Sequence, residues 1–328
     1  MEQESARVGS VIIGRNEGQG LVNCIQSVIK SSAAIVYVDS GSTDRSVQIA
    51  TDAGVHVVEL DTSSAFTAAR ARNEGFWRLR AIAPHLSYVQ FVDGDCEVAA
   101  DWIDRAVAFL DMTPEAAIAC GRRRERYPMR SVYNALCDSE WNTPIGQAKA
   151  CGGDALIRTD AFQASGGYRS DLIAGEEPEL CVRLRAQGWQ IWRLDLEMTS
   201  HDAALDRFGK WWRRCVRNGY AFAQGAHLHG NAPERHWVWE SRRAILWGIA
   251  LPLVCVMAPM IFGPAGLLVS LIYPMQLLRQ IWRNGGSLRQ RGTLAAFQLL
   301  ARFPEAWGQI KFRFNRAVGD QGRLIEYK

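Results

Sequence analysis

Between residue 10 and about residue 119, short runs of β-branched and apolar residues alternate with longer segments whose apolar positions recur at helical period. The runs lie at 11–13, 35–38, 55–60, 88–92 and 117–120, and the helical segments at 21–30, 46–53, 65–83 and 102–110. This alternation predicts βαβ units, hence an α/β fold with a mostly parallel sheet flanked by helices. In such sheets ligands bind beyond the carboxyl ends of the strands. Residues 122–202 lose the regularity and carry more glycine, aromatic and charged positions, as expected of a lobe that closes over a substrate.

The pattern changes again at residue 244. Residues 244–278 are 35 consecutive positions without a charge, interrupted by Pro252, Pro259, Pro264 and Pro274. One straight helix of that length would measure about 50 Å, more than a hydrocarbon core of ~30 Å needs and short of two full spans. A broken hairpin or re-entrant pair fits better, with a buried helical pair in a soluble protein as the alternative. Arg235, Arg242 and Arg243 precede the run, and Arg279, Arg283, Arg289 and Arg291 follow it, so the positive-inside rule puts both ends in the cytoplasm. Trp237, Trp239, Trp247 and Trp282 stand where interfacial anchors would. Residues 294–314 read as one amphipathic helix suited to an anionic membrane face, with packing against the α/β part as the alternative. The expected organisation is an α/β domain over 1–230, an interfacial linker over 231–243, a hydrophobic membrane hairpin or re-entrant helices over 244–278, and a basic amphipathic region over 279–328.

Composition adds limits. With 38 basic and 34 acidic residues the net charge of +4 is too mild to argue nucleic-acid binding. The eight cysteines are scattered without metal-binding spacing, which suits reduced thiols in a cytosolic compartment. The start, Met1-Glu2-Gln3-Glu4-Ser5, lacks the pattern of a signal peptide.

The chemistry gathers at strand ends. Asp93-Gly94-Asp95 closes the run 88–92, and two carboxylates so placed form a hard-oxygen site for Mg²⁺ or Mn²⁺ carrying a diphosphate. Asp39 closes the run 35–38 and enters Ser40-Gly41-Ser42-Thr43-Asp44, where a carboxylate can accept hydrogen bonds from a nucleobase or ribose; a capped strand-to-helix turn accounts for Ser42 to Asp44 but not for Asp39. In Gly175-Glu176-Glu177-Pro178-Glu179, Pro178 fits the first position of a helix and its ring holds Glu177 extended. The helix dipole there favours an ionised carboxylate, as a base requires, and Glu179 with Arg183 is spaced for an i,i+4 ion pair.

Taken in order, these segments resemble family 2 glycosyltransferases, inverting enzymes of the GT-A fold, a Rossmann-type α/β architecture, that use nucleotide-diphosphate sugars. The membrane-associated branch that builds bacterial polysaccharides is the closest in pattern. The likeness runs over residues 11–219. Val11-Ile12-Ile13-Gly14-Arg15-Asn16-Glu17 is similar to the opening strand and nucleotide-contacting turn, with Ile13 where proline is usual. The resemblance puts Arg15, Glu17, Asp39, Arg72 (in Ala71-Arg72-Asn73-Glu74-Gly75) and Asp93 on the nucleotide. It puts Asp93, Asp95 and His201 on the metal, Asp95 being the direct ligand of the acidic pair, and Gly152, Gly153 and Glu176 beside the donor sugar. Asp154 stands where a neutral polar residue is commoner. Glu177 takes the place of the catalytic base, although the family usually has Asp there. Lys210-Trp211-Trp212-Arg213-Arg214 offers Trp211, Trp212, Arg213 and Arg214 to an acceptor, and the Gln-x-x-Arg-Trp of processive members is missing. The run Arg122-Arg123-Arg124-Glu125-Arg126 reads as a solvated strand end, with a role on an acceptor phosphate as the alternative.

The reading is thus transfer of one sugar, with a UDP-sugar favoured as donor, to a lipid-linked or other saccharide acceptor at the cytoplasmic face of the inner membrane. Two alternatives stand beside it: a haloacid-dehalogenase-type phosphatase, which also carries Asp-x-Asp at a strand end, and a non-catalytic membrane scaffold of the same fold.

Overall fold

The computed structural model describes residues 7–61, 63 and 66–319; the polar start at 1–5, position 65 of the third helical segment and the end of the basic C-terminal region lie outside them. Two compact units emerge, one of Met1–Arg130 with Cys137–Ala204, the other of Ser131–Leu136 with Leu205–Lys328. The helix Phe208–His229 therefore belongs to the second unit and not, as the pattern suggested, to the α/β domain.

In the first unit, strand β1 (Val8–Gly14) lies between β2 (Ala34–Asp39) and β4 (Tyr88–Asp93), both parallel to it, and β3 (His56–Glu59) runs beside β2. β1, β2 and β4 are buried on both faces, so they read as continuous apolar runs. The helices Gln19–Val28, Ser46–Asp52, Ala68–Ile82 and Trp102–Met112 fall where the 3.6-residue period put them. The chain leaves β1 toward β2 on one side and returns to β4 on the other, which opens a crevice at the carboxyl end of β1.

The irregular middle is not a separate lobe. It supplies β7 (Gly146–Ala148), β8 (Ala155–Arg158) and β9 (Gln190–His201) to the same sheet, together with β5 (Cys96–Val98) and β6 (Ala116–Glu125). β8 joins β4 and β6 antiparallel to both, β9 runs parallel to β6, and β5 and β7 pair antiparallel with β9. The sheet is thus parallel over β3-β2-β1-β4 and mixed beyond. β6 extends through the arginine run, so Arg122 is buried and Arg123 nearly so, and Arg124 is the arginine of 122–124 that faces solvent; the expectation of a solvated strand end fails because the strand continues.

In the second unit, Phe208–His229 packs along Arg302–Ala317 with the backbones close: a Cβ on Gly308 would collide with the Val216 carbonyl. Residues 294–314 are not one helix, because Leu288–Leu300 ends before Arg302–Ala317 begins. The latter has a packed face, with Pro304, Gly308 and Phe312 buried, and an outer stripe of Trp307, Ile310 and Phe314 exposed beside Lys311 and Arg313.

Val238–Arg283 is helical along its length, long and apolar enough to cross a membrane by length and composition. It does not run straight. The Tyr273 hydroxyl donates to the Trp247 carbonyl at 2.8 Å, whereas 26 residues of unbroken helix would separate the two by about 39 Å. The reversal sits at Gly263, whose φ of 60° lies in the left-handed region.

Candidate active site

Parallel register fixes the first elements of the site. Gly14 lies beside Asp39 on one flank, and Ile13 beside Asp93 on the other, so both acids reach the same edge of the sheet. Arg72 sits on the buried stripe of Ala68–Ile82 with Gly75, Phe76 and Leu79, and is delivered to that edge from within the core. Its Nη1 meets Glu176 at 2.8 Å and Glu177 at 3.1 Å; its Nη2 meets Asp93 at 2.9 Å. One guanidinium thus joins the end of β4 to the helix Glu176–Ala186.

The other oxygen of Asp93 is held by Arg123 at 3.2 Å. Arg123 also lies 3.6 Å from Asp154 and stacks on Trp141, 4.9 Å from its ring centre. Asp154 is fully buried and accepts from the Asp93 backbone N–H at 3.1 Å and the Thr199 hydroxyl at 2.7 Å. His201 also lies against Trp141, 5.2 Å between ring centres, and its Nε2 is 3.1 Å from an Asp95 carboxylate oxygen. Asp93, Asp95, Asp154, Glu176 and Glu177 therefore surround two guanidinium groups.

Excess negative charge in a buried place shows in the acids. Burial raises the Glu177 carboxyl to about 7, with the neighbouring Glu176 adding to the shift and Arg72 opposing it. Burial works the same way on Asp93, yet Arg72 and Arg123 outweigh it and hold that group below the ordinary carboxylate range. The ionising effect of the helix start on Glu177 is thus overcome. The helix also begins earlier than expected, at Glu176, with Gly175 as its N-cap. Pro178 is its third residue, where the missing N–H still costs no intrahelical bond, and Glu177 is helical, not extended. The Glu179–Arg183 ion pair forms as its spacing implied, at 2.7 Å.

The remaining predicted residues divide. Gly153 stands against the cluster, where a Cβ would come within 2.6 Å of Arg72 and 2.9 Å of Glu177; Gly152 faces open space. Asp39 is buried and its carboxylate accepts from the Tyr37 hydroxyl, the Gly41 and Ser42 N–H groups and the Ser42 hydroxyl. The capped turn therefore explains Asp39 after all, and a base contact requires one of the two hydroxyl donors to swing away. Asn16, which the sequence did not single out, stitches this turn to β1 by accepting from Thr43 N–H at 2.7 Å. Glu17 is half-buried and accepts from the Arg15 N–H, while Arg15 is exposed with its guanidinium 5.9 Å from the Phe66 ring centre. Trp211 is buried in the second unit with Leu136, Cys215 and Ala301, and Trp212 packs against that cluster. Trp211 is thus a core residue, while Arg213 is exposed and Arg214 half-buried.

Arg123, Trp141 and Cys96 were not singled out either. The available signal was the arginine run continuing a buried strand, since alternate residues of a strand inside a sheet cannot all face water. A divalent cation suits one part of the cluster. Ligand atoms of Asp95, Cys96 and His201 lie within 4.8 Å of one another; the carboxylate suits Mg²⁺ or Mn²⁺, and the imidazole, a transition-metal ligand, favours Mn²⁺ of the two. Asp93 has both oxygens committed to arginines, so its part in metal binding, as these residues stand, is to buttress Asp95.

Residues 10–171, just under half of the chain, match the glycosyl transferase family 2 model. Over 140 residues, 42% of this chain, the sequence is 37% identical to a TPR repeat-containing protein of Synechococcus elongatus, and spans 32% of that relative's length. The fold is similar to the mannosyltransferase PcManGT from Pyrobaculum calidifontis, solved with GDP-Man and Mn²⁺: the TM-score is 0.59 at 18% identity, covering 92% of this chain and 86% of that one. It is also similar to residues 1–349 of S. aureus TarS, with a TM-score of 0.51 at 15% identity over 94% and 91% of the two chains. The fold is GT-A-like, and the phosphatase alternative is set aside.

Proposed function

We propose that the protein transfers a single sugar, with inversion, from a nucleotide-diphosphate sugar to a lipid-linked saccharide at the cytoplasmic face of a membrane. The observation that carries the reading is the Arg72 guanidinium shared by Asp93, Glu176 and Glu177. It brings a carboxyl group balanced near neutrality into one cluster with the Asp95–His201 pair. A general base works best when its pKa lies near the working pH, and Glu177 meets that condition. It accepts the proton of the attacking acceptor hydroxyl while the bond from the anomeric carbon to the diphosphate breaks.

Asp95 and His201 would hold a divalent cation, which neutralises charge on the leaving diphosphate. That a structural neighbour carries GDP-Man and Mn²⁺ supports this class of donor and ion. Arg72 and Arg123 keep Asp93 ionised and immobile beside Asp95. Gly153 lets its backbone come close to Arg72 and Glu177, where a Cβ would clash, and Gly152 beside it faces open space, so on this reading the donor sugar lies against this pair.

The test is a donor panel with purified protein in detergent, Mn²⁺ or Mg²⁺, and polyprenyl-linked acceptors, scored by nucleotide release and glycosylated product. Transfer from one donor, lost in Glu177→Gln and Asp95→Asn, is expected. Release from no donor, or transfer that survives both substitutions, would overturn the reading and leave a binding module of the same fold.

A further inference from the structure

The segment 244–278 has a shape that its composition does not reveal. One arm, Trp247 to Phe262, ends at the Gly263 reversal, and the returning arm begins as the 3₁₀ helix Gly263–Leu271. The two lie flush, since a Cβ on Gly266 would strike the Ala258 backbone. At 1.5 Å per residue the outgoing arm is about 22 Å long, and the nine residues of the 3₁₀ helix at a rise of 2.0 Å, with Ile272 at 1.5 Å, return about 20 Å. The arms match, and the Tyr273 hydroxyl closes the base on the Trp247 carbonyl. The finger is apolar and becomes exposed toward its tip, where Met260, Ile261 and Phe262 are 75%, 66% and 69% accessible.

We infer that this hairpin is a re-entrant wedge that enters a lipid bilayer from one side and returns without crossing it. It commits to lipid on three grounds. A depth of about 20 Å exceeds one leaflet's share of a ~30 Å hydrocarbon core and falls short of the whole. Trp239 and Trp282, 70% and 84% exposed, stand outside the closed base, where indole rings sit at headgroup level. Around them both flanks are basic: Arg235, Arg242 and Arg243 before the hairpin, Arg279, Arg283, Arg289 and Arg291 after it, a charge complement to anionic headgroups. The exposed stripe of Trp307, Ile310 and Phe314 beside Lys311 extends the same chemistry within this unit. The inference rests on the membrane side of the proposed function and is independent of its chemistry.

Two experiments on the full chain test it. Flotation with phosphatidylcholine vesicles containing phosphatidylglycerol should recover the protein with lipid, and Phe262→Asp should weaken partition on the order of a hundredfold, from the cost of an acid at membrane depth. Because Phe262 is exposed, this variant should still release nucleotide from donor in detergent at the parent rate, which separates a failed wedge from a failed enzyme. In cells, Glu240→Cys and Ser287→Cys should both react with an impermeant maleimide from the cytoplasmic side alone. Labelling of the two from opposite sides would replace the wedge by a span. A chain that stays off vesicles and elutes as a defined oligomer would replace lipid by a second copy.

Discussion

Glu177 carries opposite consequences for activity and stability. Its folded value of about 7 lies above the ordinary carboxyl value of 4.5, so the folded chain holds this proton more tightly than the unfolded one. The stabilisation from that proton is complete below about 4.5 and is lost as pH rises through about 7. Catalysis needs the opposite state, and kcat/KM should climb with pH through the neutral range and level off above it. Glu177→Gln should therefore abolish transfer while raising Tm at pH 8, since it removes a carboxylate that its surroundings disfavour. A pH-rate profile with calorimetry at pH 5 and pH 8 checks both halves; an equal Tm loss at both values would mean that Glu177 serves as a structural ion pair. Arg123 should behave differently. Arg123→Met leaves Asp154 fully buried without its guanidinium, and breaking such a pair costs about 3–5 kcal/mol. Adding Asp154→Asn should restore part of the loss in denaturant titrations, a coupling that two independent residues would not show.

Elements differed in how legibly they were written. β1, β2 and β4 were plain because strands buried on both faces must be apolar throughout, and the helices between them because one face must be. β8 and β9 were not. Ala155–Arg158 is too short to show a period, and Gln190–His201 alternates Trp192, Leu194 and Leu196 with Arg193, Asp195 and Glu197 on a strand whose Arg193 is buried. The site followed the same division. Asp93, Asp95, His201, Arg72 and Glu177 could be named because their segments have an order resembling a family, whereas Arg123 and Trp141 matter through contacts that only tertiary structure creates. Trp211 was misread because an aromatic-basic helix face looks the same in sequence whether its tryptophan meets an acceptor or Tyr133 and Phe297. Close helix contacts were equally silent. Gly308→Ala would push a methyl against the Val216 carbonyl, and relief requires the two helices to part. A loss of about 1–3 kcal/mol is expected for the second unit, read as a lower unfolding midpoint in detergent, with donor turnover at low temperature as the control for an intact first unit.

At the scale of the molecule, the first unit is built with a charge deficit that a ligand can relieve. Five carboxylates lie around two guanidinium groups and one imidazole, and Glu177, buried beside Glu176, responds by holding its proton. A cation that binds the folded unit alone must stabilise it by mass action, by about 2.7 kcal/mol once its concentration reaches a hundred times Kd. Calorimetry at pH 7.5 should show one transition moving up by several degrees as Mn²⁺ is added and returning with EDTA. The transition of the second unit should not move. Asp95→Asn should remove the shift without lowering the metal-free midpoint, because it deletes one negative charge from a crowded set, whereas loss of a merely structural Asp95–His201 pair would lower that midpoint. A Tm indifferent to Mn²⁺ and Mg²⁺ in the parent chain would mean that the cluster balances its charge internally, and the diphosphate would then have to be met by Arg72 and Arg123.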